Sequence, residues 1–94
     1  MAQNVIPPVE FDHPYKGKLT VRRAGTQTEL RMSCDPTTFP YHLGCAKLAP
    51  EGCYILMAED DFIRSKGWTP EIVLRHEIGH CNGWPGDHRG ARRP

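Results

Sequence analysis

The residues of this chain best suited to chemistry lie together near its end, in His76-Glu77-Ile78-Gly79-His80. On a helix, positions i and i+4 share a face one turn apart, so the imidazoles of His76 and His80 stand side by side. Two nitrogens so placed can grip one Zn2+ at about 2.0–2.1 Å each. Glu77 is next round the helix from His76. From there its carboxylate reaches a water on the ion without being a ligand, which aims a general base and a Lewis acid at one water. Catalytic zinc usually takes three protein ligands plus water, so a third must come from elsewhere. After the helix, Gly83, Pro85 and Gly86 permit a tight reversal, and His88 is the first choice. Asp87 is second; His13, His42 or an acid of the Glu59-Asp60-Asp61 cluster are the remaining candidates. Whichever of Asp87 and His88 does not bind is expected to orient a ligand imidazole.

These residues need a rigid helix beneath them. Thr69 can cap one, Pro70 fits its first position, Glu71 suits its positive end, and Asn82-Gly83 stops it, which predicts a helix over 70–81. Leu74, Ile78 and Cys81 form an apolar stripe expected to face the core, and Gly79 is expected to give close backbone access beside a metal. Trp68 and Trp84 bracket the helix and are expected to pack its ends. The best strand is Cys53–Ala58, followed by a short helix at about 60–66 that opens on acidic residues and closes at Gly67. Lys18–Arg23 and Thr28–Met32 each alternate about a turn at 24–27, which predicts a hairpin over 18–32. Residues 1–17 read as an irregular arm with one short strand at Val9–Asp12, residues 33–52 as loop, and residues 89–94 as a flexible, solvated basic tail. The expected fold class is α+β: a small antiparallel or mixed sheet packed on the H-E-x-x-H helix.

His76-Glu-Ile-Gly-His-Cys-Asn-Gly83 matches H-E-x-x-H-x-x-G and resembles the active-site helix of the zincin metallopeptidases, with the glycine typical of their metzincin group. The resemblance covers residues 69–88 and the preceding strand–helix order. It implies a minimal zincin-like fold, zinc at His76 and His80, and a catalytic Glu77. It also implies an extended peptide or protein substrate laid against Cys53–Ala58 as an edge strand. Two features differ: the metzincin third histidine would fall at Gly86, two residues before His88, and the chain ends six residues after His88, leaving no room for a Met-turn. The implied reaction is hydrolysis of a peptide bond, with Glu77 moving a proton from water to the leaving amine. Tyr54, Tyr41, His42 and Tyr15 are the candidates for a donor to the developing oxyanion.

At 94 residues, with 38% hydrophobic content, nine Gly and nine Pro, the chain is one domain with a thin core that needs a staple. It is too short for doubly wound nucleotide folds or α/β barrels. A net charge of +1 gives no electrostatic case for nucleic acid or an anionic membrane. The longest apolar run, Cys53–Ala58, cannot span a bilayer, and Pro7-Pro8 would interrupt a hydrophobic leader. Cysteines 34, 45, 53 and 81, with no C-x-x-C, fit disulfides in a secreted or periplasmic monomer. Of the three pairings, the short loop favours Cys45–Cys53; four reduced thiols in the cytoplasm is the alternative. Two other function classes remain beside a zinc peptidase. One is a non-catalytic zinc-stabilised binding or inhibitor domain, with a fourth protein ligand closing the site. The other is a disulfide-stapled domain without metal.

Overall fold

A computed structural model describes residues 4–35 and 41–94. It is a small mixed α+β fold: β1 (Leu19–Ala24), α1 (Gln27–Ser33), β2 (Gly44–Ala49), β3 (Gly52–Ala58), α2 (Asp60–Ser65) and α3 (Pro70–Cys81). One three-stranded sheet has the order β1-β3-β2, with β1 parallel and β2 antiparallel to β3. Among the described residues, no helix is long and apolar enough to cross a membrane.

The expected hairpin over 18–32 is half right. Its first arm is β1, but Thr28–Met32 lies in α1. The reason is local: Thr26, in extended backbone, caps the helix by accepting the Glu29 N–H at 3.1 Å. Thr26-x-x-Glu29 has the spacing of a capping box. Leu30 and Met32 would share a face of a strand, but on a helix they sit roughly 200° apart. Accordingly Leu30 is fully buried and Met32 is 82% exposed. Residues 33–52 also hold more than loop, because 44–49 form β2, joined to β3 by a two-residue turn at Pro50-Glu51. Val9–Phe11 is a 3-10 turn, not a strand.

β3 is therefore the centre of the sheet, paired on both sides, and cannot be the edge strand. Its burial follows from that position: all but Tyr54 of Gly52–Ala58 is buried. Side chains alternate between the two faces. Cys53 bonds to Cys81 of α3, so the Cys53, Ile55, Met57 face looks at α3. Cys45, which pairs with Leu56 and so shares the opposite face, bonds to Cys34 at the end of α1. The helices α1 and α3 thus cover opposite faces, each tied by a disulfide. The favoured Cys45–Cys53 pairing is wrong because those residues sit on opposite faces of the sheet. The two disulfides are compatible with an oxidising or extracellular location, as expected from the cysteine count.

The helix α3 runs over 70–81 as predicted, with Thr69 accepting the Ile72 N–H at 3.2 Å and Pro70 at its first turn. Its buried stripe differs. Val73, Glu77 and Cys81, at i, i+4 and i+8, are buried, whereas Leu74 and Ile78 are half-buried beside Asp12, His13 and Pro14 of the N-terminal arm. The arm crosses the back of α3 and is fixed there by Asp12, whose carboxylate accepts from Arg75 at 2.8 Å and from Arg92 at 2.8 Å. Those hydrogen bonds, Arg75 first, hold the Asp12 carboxyl below the usual carboxylate range. Arg92 also pairs with Ile6 backbone to backbone (2.8 and 2.9 Å) and donates to the Pro7 carbonyl. The basic tail is thus engaged at Arg92, where a solvated end was expected.

Replacing Cys53 and Cys81 by alanine opens a loop of 28 residues and is expected to cost about 3–4 kcal/mol of stability. Urea melts of the oxidised proteins measure it. Peptide mapping without reductant should recover Cys34–Cys45 and Cys53–Cys81; a Cys45–Cys53 peptide would contradict this arrangement.

Candidate metal centre

The helix α3 carries His76 and His80 on the flank next to its sheet-facing stripe. The chain then reverses. Gly83 adopts φ 106°, a left-handed value that suits glycine, and the Trp84 N–H reaches back to the Gly79 carbonyl at 3.0 Å. The loop 84–88 brings His88 over the helix. His88 itself has φ 58°, the only positive value at a non-glycine among the described residues. Side-chain nitrogens of His76, His80 and His88 all lie within 4.8 Å of one another, a group able to hold a metal ion.

Backbone carbonyls set the orientation of two rings of this cluster. His76 Nδ1 lies 2.8 Å from the Val5 carbonyl, and His80 Nδ1 lies 2.8 Å from the Trp84 carbonyl. A carbonyl only accepts, so both Nδ1 atoms carry the proton and both Nε2 atoms present lone pairs. Yet His80 Nε2 stands 3.3 Å from His76 Nε2 and 3.1 Å from His88 Nε2. In the neutral rings the His76 and His80 lone pairs cannot hydrogen-bond each other, and a cation between them would satisfy both; His88 can turn its own Nε2 lone pair to the same point. Two nitrogens each 2.0–2.1 Å from one tetrahedral ion would be about 3.3–3.4 Å apart. The donor set therefore fits a metal of the borderline class that imidazole prefers. Burial lowers the His76 pKa to about 4, keeping that ring neutral and ready to bind, and burial likewise lowers His88.

Glu77 is 6% exposed, at the centre of the stripe between Val73 and Cys81. Desolvation alone pushes its carboxyl up to about 8. It lines, with His76, His80 and His88, a cleft of about 560 Å3 whose opposite wall is Gly44–Lys47 of β2. A second cavity of about 200 Å3 opens from the same residues, His76 and Glu77, and is walled by Tyr41, His42, Leu43, Trp68, Ile72 and Val73. The Leu43 carbonyl accepts the Ala58 N–H at 2.9 Å. Alternation along the antiparallel ladder then turns the peptide groups of Gly44, Ala46 and Leu48 outward, away from β3. Among the described residues, β2 is the edge strand of the sheet beside the cluster.

Of the other candidates, Asp87 is engaged by Arg89 (2.9 Å) and is not part of the cluster. His13 is exposed and bonds the Pro14 carbonyl, and Asp60 pairs with Arg23 at the head of α2. Tyr54 lies on the sheet face away from α3, bonded to Glu51 at 3.2 Å, and Tyr15 packs beside Gly17. Tyr41 and His42 do reach the cavity walls. His42 is fixed there: its ring Nε2 meets the Asp35 carbonyl at 2.6 Å, and Gln27 bonds both its N–H and its carbonyl. Gly79 serves differently from expectation. A Cβ there would stand 2.4 Å from Pro7 Cγ and 3.1 Å from Trp84 Cε3, so the glycine admits the arm and the indole against the helix. Residue patterns alone did not show the roles of Val5, Trp84, Gln27 and Asp12; only the Thr26 capping signal was readable.

No protein-family model matches the chain, and no curated protein or solved structure matches it.

The buried carboxyl gives a sign-specific expectation for the metal-free protein. Glu77 titrates at its ordinary 4.5 when unfolded and near 8 when folded, so its ionisation opposes folding. The penalty is absent below pH 4.5 and complete above 8. Metal-free Glu77→Gln should therefore match wild type at pH 4 and exceed it at pH 8 by on the order of 2–4 kcal/mol. Urea melts at the two pH values measure this; an equal difference at both would contradict it.

Proposed function

We propose that this chain is a minimal zincin-like zinc peptidase, a single domain that works in a secreted or periplasmic setting. The observation that carries the reading is the convergence of three imidazole Nε2 atoms, two with their Nδ1–H tied to carbonyls, beside a buried carboxyl on the cleft they share. Three histidine ligands leave one position of a tetrahedral site open, which is the arrangement of catalytic zinc. Bound there, zinc would supply Lewis acidity, making a water acidic near pH 7 and polarising a carbonyl.

The chain's own residues do the rest. The outward peptide groups of Gly44, Ala46 and Leu48 pair with an extended substrate and lay its backbone across the cleft; β2 thus takes the role first assigned to the strand at Cys53–Ala58. Glu77, held in an apolar stripe, takes the proton of the attacking water and hands it to the leaving amine. Its raised pKa suits both halves of that task near neutral pH. Tyr41, on the wall of the adjoining cavity, is the remaining candidate to stabilise the developing charge, since His42 spends its ring N–H on the Asp35 carbonyl and its backbone N–H on Gln27. The strained backbone of His88 supports the reading too, since such outliers concentrate at functional sites.

Metal analysis and hydrolysis of an unstructured protein such as casein test this. Wild type and Glu77→Gln are each expected to hold about one zinc per chain, and the variant to lose at least 100-fold in rate. His88→Ala is expected to weaken zinc binding by more than 10-fold. Equal hydrolysis by wild type and Glu77→Gln would contradict the mechanism. Zinc retained without hydrolysis in wild type would favour a zinc-stabilised binding domain.

A further inference from the structure

We propose that Trp84 is a positioning residue of the histidine cluster, setting all three imidazoles for a divalent cation and favouring the loaded state. The inference rests on the reading of the cluster as a metal site. Trp84 is 2% exposed, and its indole meets every member of the cluster. Its indole stacks on His80, with centroids 4.8 Å apart and planes 14° from parallel. It meets His76 and His88 edge-on, at 5.0 and 5.1 Å. Its backbone carbonyl is the acceptor that fixes the His80 Nδ1–H. Its Nε1–H donates to the Arg89 carbonyl at 2.9 Å, which ties down the residue following His88 and so the loop that delivers it. Its N–H closes α3 on Gly79, and the missing Cβ of Gly79 is what lets the indole lie against the helix.

Two physical consequences follow. The indole holds one ligand by stacking, two by edge-to-face contacts, and the loop of the third by a hydrogen bond, so the three rings keep one mutual geometry. An imidazole that shares its lone pair with a cation also becomes electron-poor, and the indole face attracts it more strongly than the free ring. A tryptophan that merely filled core volume would need neither the stacking nor the hydrogen bond to Arg89.

The test compares wild type, Trp84→Phe and Trp84→Ala by zinc affinity (competition with a chromophoric chelator), by the visible bands of the cobalt(II)-loaded proteins, and by thermal melting without metal. Trp84→Phe keeps an aromatic face but loses the Arg89 bond; it is expected to bind zinc about 10-fold more weakly, and Trp84→Ala about 100-fold, the range typical of groups behind a metal ligand. The cobalt bands of Trp84→Phe are expected to shift while its metal-free melting stays close to wild type, a pattern that loss of packing alone would not give. If Trp84→Ala does not fold, Trp68→Phe leaves Trp84 as the only indole, and its emission should change with zinc and saturate at one equivalent. Zinc affinity within twofold of wild type and unchanged cobalt bands in Trp84→Phe, or emission indifferent to zinc, overturns the proposal. A wild-type chain that takes up no divalent metal removes this proposal and the metal reading together; equal binding with and without the indole removes only this one.

Discussion

His80 Nε2 stands 3.3 Å from His76 Nε2 and 3.1 Å from His88 Nε2, and the first two, in neutral rings, face each other as lone pairs that a cation between them would satisfy. Much of this molecule is arranged to keep them there. The N-terminal arm gives its Val5 carbonyl to His76 and is itself held by Pro7 on Gly79 and by Asp12 between Arg75 and Arg92. The reversal after α3 gives the Trp84 carbonyl to His80 and carries His88 across on a strained residue. Both ends of the described chain therefore meet at the cluster, which sits where α3, the arm and the C-terminal segment join. An ion there would link elements distant in sequence, so binding and folding would reinforce each other.

The same economy explains the placement of Glu77. A short chain with one thin core has few positions that exclude water, and the i, i+4, i+8 stripe of α3 is one of them. Placing a carboxyl in that stripe costs stability when it ionises, and the two disulfides, one on each face of the sheet, offset such a cost. The buried Cys53–Cys81 bond lies one turn from Glu77 and holds the stripe against β3. Under the proposed mechanism, function and stability would thus compete at one residue, with the covalent cross-links offsetting the cost.

The sequence was informative where a signal is local. Thr69-Pro70, Asn82-Gly83 and the i, i+4 histidines defined α3 and two members of the cluster, and the turn glycines pointed to His88. It misled where two periods overlap in a short window: Leu30 and Met32 alternate as in a strand, but a capping threonine decides for helix. It was silent where the determinant is a partner distant in the chain. Nothing in Gly44–Ala49 alone announces an edge strand, since the central place of β3 depends on β1 pairing from the other side. The Cys34–Cys45 and Cys53–Cys81 bonds likewise follow from which face of the sheet each cysteine occupies, a property of register that spacing does not contain. The arm's carbonyl on His76 spans 71 residues and could be read only from the fold.

The account stands or falls on the coordination of a metal by this cluster. X-ray absorption at the zinc edge of the zinc-loaded protein tests it most directly. The expected result is one zinc per chain bound by three imidazoles at about 2.0–2.1 Å and one further light atom, with no sulfur. Sulfur ligation, fewer than three imidazoles, or a fourth protein imidazole closing the site would contradict it.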